Sequence, residues 1–157
     1  MAMRHKEMPD VPLDGMAILA RARRLDQLSR KPIEAVFEQY GLDSGEFDVL
    51  ATLQRGGPPY EMRPTELFQS LLITSGGLTD RLNRLTRKGL VERVVTATDR
   101  RSLPVRLSKQ GVDTIRRAYA QDMEIERGLL SGLTAKDRFE LARLLALLLA
   151  DIETRNI

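Results

Sequence analysis

The chain has 157 residues, of which 42% are hydrophobic, 30% charged and 4% aromatic, with a formal net charge of +3. That length suits one domain, or one domain with an added assembly surface, and the apolar content is too high for a disordered chain. With no cysteine and a single histidine, His5, disulfides, thiol redox sensing, an ordinary zinc site and a Cys- or His-based nucleophile pair are excluded.

Residues 1–10 are charged and lack an apolar run, so no secretory signal is expected. The greasy run 144–150 is too short to span a bilayer. The expected location is cytoplasmic, with no membrane partner. A first helix is predicted over 14–29, carrying Ile18, Leu19, Leu25 and Leu28 at helical spacing. Pro32 disfavours α conformation at Lys31, which predicts an interruption before a second segment over 33–40 that ends at Gly41. Asp43 and Glu46 form a capping box for a helix over 46–54, stopped by the Gly56-Gly57-Pro58-Pro59 cluster. Pro64 opens a short helix over 65–70. Thr74 or Ser75 caps a helix over 75–88 whose core stripe is Leu78, Leu82 and Leu85. Strands over 90–95 and 103–107 flank a polar turn, with Pro104 admissible only at an edge. Ser108 caps a long helix to 130, and Thr134 opens a leucine-rich last helix to 154.

The fold class that follows is mainly α with a small β-wing. A winged helix-turn-helix over 41–107 lies between an N-terminal helical region, 1–40, and C-terminal helices, 108–157. The leucines of the last helix, Leu141, Leu144, Leu145 and Leu148, are either monomer core or a dimerisation interface. The interface is favoured, because helices appended to a small winged domain have little else to pack on.

Charge is unevenly placed. Between Asp80 and Arg106 stand eight basic and three acidic residues, so that segment is +5 and the rest of the chain −2. Such a block is either a phosphate-binding face or a solvated helix surface. On the helix over 75–88, Gly77, Asp80, Arg84, Arg87 and Lys88 lie opposite or beside the leucine stripe. Gly76 and Gly77 each cost about 1 kcal/mol of helix propensity; close backbone approach to DNA, or to a packed neighbour, would offset that. The candidate major-groove contacts are Thr74, Ser75, Gly76, Gly77, Thr79, Asp80, Arg81 and Arg84. Asp99, Arg100, Arg101 and Ser102 at the hairpin tip are candidates for the minor groove, where an arginine meets strong negative potential. The plain alternatives are a surface helix and a polar turn.

These residues resemble a known family. GLDSGEFDVLATL, PTEL, LLITSGGLTDRLNRLTRKGLVER, DRRS and VRLSKQG, between Gly41 and Gly111, resemble the winged helix of the MarR family in order and spacing. The resemblance implies a homodimer that binds double-stranded, pseudo-palindromic operator DNA. It also implies repression relieved by a small effector, usually aromatic or anionic. GMAILARARR, EFDVLATL, GGPPYEMRPTEL and SGGLTDRLNRL are similar to its urate-responsive branch. That branch implies a ligand site of Asp48, Arg81 and Arg93, while Arg4 stands where the branch carries a Trp and offers no ring for stacking. Arg81 falls about 60° from the leucine stripe, so it can turn inward to an anionic ligand rather than out to a base; the alternatives are a structural ion pair with Asp48 and an Asp48 that is simply solvated. No phosphate loop or dinucleotide fingerprint occurs; Ser75-Gly76-Gly77 opens a helix without the following lysine. The chain is therefore expected not to be an enzyme and to need no cofactor or metal. A winged helix serving RNA or protein contacts is the rival reading, disfavoured by the arginines.

Overall fold

The computed structural model describes residues 14–71, 75–94 and 103–155. In chain order the elements are α1 (Asp14–Gln39), α2 (Ser44–Arg55), β1 (Glu61–Met62), α3 (Pro64–Leu71) and α4 (Ser75–Arg87), then β2 (Val91–Arg93), β3 (Val105–Leu107), α5 (Lys109–Leu129) and α6 (Ala135–Thr154). The mainly helical fold with a small wing is as expected. The chain forms two compact units, one up to Asp122 and the other from Met123 onward. No helix of the described residues is long and apolar enough to cross a membrane.

In the first unit α2 is the central element, touching α1, α3, α4 and β3. It starts because Asp43 accepts from the Glu46 backbone N–H at 2.8 Å while the Glu46 carboxylate accepts from the Asp43 N–H at 3.0 Å. Its burial is nearly all-round, with Phe47, Val49, Leu50, Ala51 and Leu53 shielded from solvent. Leu67 of α3, Leu82 and Leu85 of α4, and Ile115 of α5 are fully buried too. Each such side chain contributes about 1.5–3 kcal/mol of transfer free energy. Phe37 stacks on Phe47 with centroids 3.9 Å apart, which pins the end of α1 to α2.

α1 and α4 end alike. Gly41 and Gly89 take φ of +69° and +70°, and the residue after each donates back five positions: Leu42 to Phe37 and Leu90 to Leu85, both at 3.0 Å. Ser108 caps α5, its hydroxyl accepting from the Gly111 N–H at 2.9 Å. A Cβ on Gly111 would stand 2.0 Å from the Leu90 carbonyl oxygen, so this position admits no side chain without movement.

Three expectations need correction. Pro32 lies inside α1, which runs unbroken through it. Proline removes one intrahelical bond and crowds the preceding turn, but Val36 and Phe37 bury themselves one turn later and carry the helix past that local cost. The sheet has three strands, ordered β1-β3-β2, because Glu61 and Met62 pair antiparallel with Arg106 and Val105. β3 is thus central, and Pro104 stands just before it, needing no ladder N–H, while its carbonyl accepts from Val94 at 2.9 Å.

The second unit contains the end of α5 and all of α6. Thr134 caps α6 through a capping box with Asp137. No side chain of α6 is buried; Phe139, Leu144, Leu147 and Leu149 are each at least half exposed.

Candidate nucleic-acid interface

α3 and α4 pack on α2 and on each other as a helix-turn-helix, and the β2–β3 hairpin follows α4 directly. Leu78, Leu82 and Leu85 bury one side of α4 completely enough to fix its rotation. At about 100° per residue, Gly76, Asp80, Asn83 and Arg87 then fall on the opposite side, and all four are exposed. Among the described residues nothing lies within 4 Å of where a Cβ on Gly76 would stand, so a backbone can approach α4 closely at Gly76.

The other cations of α4 face α2. Arg84 is spread over three carboxylates: its Nη2 lies 2.7 Å from Asp43 Oδ2, Nε 3.2 Å from Glu46 Oε1 and Nη1 3.0 Å from Asp80 Oδ2. Partial burial works against the charged guanidinium, but Asp43, Asp80 and Glu46 outweigh it and hold its pKa above the ordinary value. Lys88 Nζ donates to Glu46 Oε2 at 2.6 Å and to the Gly41 carbonyl at 2.7 Å. Glu46, only 1% exposed, is therefore shared by two roles, capping α2 and clamping α4. A buried carboxylate persists only when it is paired and hydrogen-bonded in this way.

Arg81 lies one turn nearer the start of α4 and also turns toward α2. A Cβ on Gly45 would stand 2.4 Å from the Arg81 guanidinium carbon, so the glycine is the seat on which this side chain rests. Its Nη1 is buried and finds no hydrogen-bond partner among the described residues. Asp48, one turn along α2, keeps solvent-exposed surface but is crowded by protein atoms. Crowding pushes its carboxyl above the usual range, and the nearby Arg81 and Arg55 only partly draw it back. Asp48 and Arg81 are thus electrostatic neighbours that make no ion pair among the described residues. Arg93 is exposed on β2 and is not among the charges acting on Asp48. Arg55 completes the local field and was not foreseen.

Of the residues singled out for DNA, Ser75, Gly76 and Gly77 form the first turn of α4, and Thr79 and Asp80 are exposed on it. Arg81 and Arg84 lie on the flank that meets α2. Thr74, Asp99, Arg100, Arg101 and Ser102 lie outside the described residues. The base of the wing is firm: Val91, Val105 and Leu107 are buried, and on the other face Glu92 pairs with Arg106 at 2.6 Å. Sequence reasoning passed over Asn83, although its spacing from Thr79 and Arg87 places it on the same exposed face.

Comparison with known proteins decides the family. A MarR family model matches residues 40–102. The HTH-type transcriptional regulator PecS of Dickeya dadantii is 34% identical over 139 residues, spanning 88% of this chain and 84% of PecS. The chain belongs to the MarR family. It is a DNA-binding transcriptional regulator with a winged-helix fold, and members of this family are regulators rather than enzymes. Among solved MarR-family structures, AbsC from Streptomyces coelicolor superposes with a TM-score of 0.80 at 19% identity, over 92% of this chain and 97% of AbsC. A MarR mutant from E. coli complexed with operator DNA gives 0.74 at 24% identity, over 89% and 99%. Sco3205 from Streptomyces coelicolor, in complex with DNA, gives 0.79 at 19%, over 90% and 89%.

Proposed function

We propose that the chain is a homodimeric, ligand-responsive repressor that binds a pseudo-palindromic operator and is released by a small aromatic or anionic effector. The observation that carries this reading is the rotation of α4: one side locked into the core, the other exposed, with open space beside Gly76 among the described residues. The first turn of α4, with Ser75, Gly76 and Gly77, lies against phosphate, while Thr79 and Asp80 lie toward the groove. Asp99 to Ser102 serve the minor groove. Arg81 and Arg84 support this surface from the flank.

Assembly falls to the regions outside 41–107. Ile18, Leu25 and Leu28 on α1, and Leu144, Leu147 and Leu149 on α6, are each about half exposed, more apolar surface than a monomer ordinarily leaves open. Residues 1–40 and 108–157 are accordingly the dimerisation regions.

Effector sensing falls to Asp48 and Arg81, with Arg93 as the third group of the set, as in the urate-responsive branch. An anion beside Arg81 would give its buried Nη1 a partner. Because Arg81 is part of α4, such a ligand would bias the placement of the reading helix directly. The test is a gel shift of the full chain on the DNA upstream of its own gene, repeated with aromatic carboxylates, phenols and purines. A specific complex released by one of these compounds, but retained with it in Asp48→Ala and Arg93→Ala, supports the reading. Absence of a specific complex overturns the DNA half. Release that persists in both variants overturns the pocket.

A further inference from the structure

We propose that Asn83, with Arg87 one turn beyond it, is the base-reading element of α4, in place of the arginines at 81 and 84. This rests on the DNA-binding reading above and adds which side chains carry sequence information. The first argument is rotation. The leucine stripe fixes α4 so that Asn83 and Arg87 are exposed on the side away from the core. The second is competition. Arg84 is held by three carboxylates, and Arg81 rests on Gly45. Reaching a base edge would require Arg84 to abandon Asp43, Glu46 and Asp80 together.

The third argument is chemistry. An asparagine amide offers one acceptor and a pair of donors, the complement of adenine N6 and N7 in the major groove. Among the described residues Arg87 uses its Nε, on a long 3.4 Å bond to the Asn83 carbonyl within its own helix, and its terminal nitrogens are in position to fork onto guanine. Residues four apart stand about 6 Å apart along the axis, close to two base-pair steps of about 3.4 Å. The pair can therefore address neighbouring positions of one half-site.

The test selects binding sequences from a randomised duplex pool with the full-length protein, then titrates the selected duplex, its single-position variants and a scrambled duplex against Asn83→Ala, Arg87→Ala and Arg84→Met. Alanine is the better helix former, so Asn83→Ala keeps the fold, and a melting curve checks it. The expected result is that Asn83→Ala loses about tenfold or more of its preference for an A·T pair at one position per half-site. Its affinity for scrambled duplex stays within about twofold, because phosphate contacts set that term. Arg87→Ala flattens the preference at a neighbouring position. Arg84→Met lowers stability and keeps the wild-type base preferences. Unchanged preferences in Asn83→Ala, or preferences erased by Arg84→Met at intact fold, overturn the proposal. A wild-type protein that selects no sequence fails earlier and removes the DNA reading together with this one.

Discussion

Glu46→Gln is the most demanding test of how α4 is held. The wild-type carboxylate presents Oε1 to Arg84 Nε and Oε2 to both the Asp43 N–H and Lys88 Nζ. Glutamine keeps the shape, but only one of its two terminal atoms accepts. Whichever way the amide turns, its NH2 group meets a donor. Removing one partner of a fully buried ion pair costs about 3–5 kcal/mol. Here Arg84 and Lys88 side chains retain 33% and 38% exposure, so both cations can turn to water and recover part of that. The expected loss is about 2–3 kcal/mol, in line with charge-assisted bonds of about 1.5–3 kcal/mol. Thermal unfolding followed by circular dichroism, at fixed protein concentration and pH 7, should show a midpoint lower by about 5–10 °C. Glu92→Gln, which breaks the exposed pair with Arg106, is the control and should cost about 1 kcal/mol or less. Equal midpoints for Glu46→Gln and Glu92→Gln would refute the clamp.

The remaining predictions address space, charge and assembly. Gly111→Ala drives a Cβ onto the Leu90 backbone and should destabilise by about 1–3 kcal/mol or more. Gly45→Ala meets only the movable end of Arg81, so its melting point should stay near wild type while Arg81 is displaced and effector response weakens. The two melting curves side by side check the pair. Asp48 has a folded-state pKa raised above its unfolded value, so its charged form costs stability. That cost is absent below the ordinary aspartate range and grows as pH rises through the raised value. Asp48→Asn should therefore melt higher than wild type at pH 7 and level with it near pH 3; a lower melting point at pH 7 contradicts the assignment. Leu144→Glu combined with Leu148→Glu should sediment at the mass of one chain where wild type sediments at two, without loss of helix content.

Much of this arrangement is legible in the residues, because its signals are local. Asp43 with Glu46, Thr134 with Asp137, and Ser108 announce three helix starts. Leu78, Leu82 and Leu85 announce the buried side of α4. What escapes is long-range. Helical spacing places Arg84 and Lys88 on a flank, but only tertiary packing brings Glu46 to them from residues far away in sequence. A signal was available: Glu46 stands directly before Phe47, with Val49 and Leu50 close behind, and a carboxylate entering the core requires cations. Arg84 and Lys88, four apart, are spaced to serve it. The two-residue β1 carries no period to detect. Pro32 shows a local rule overridden by the burial of Val36 and Phe37. For the ligand set, sequence named Asp48, Arg81 and Arg93; the fold sets Arg81 in the electrostatic field of Asp48, while Arg93 is exposed on β2 and is not among the charges acting on Asp48. Arg55 came into the same field only through the turn geometry of α2.

The roles of α4 and the wing depend on this chain reading double-stranded DNA. The most direct measurement is fluorescence anisotropy of the full chain on duplex from its own upstream region and on a scrambled duplex, across about 50–200 mM salt. Upstream DNA should bind about 10³-fold or more tighter than scrambled DNA, with affinity falling steeply as salt rises. Equal affinity for the two duplexes, or affinity independent of salt, would contradict it.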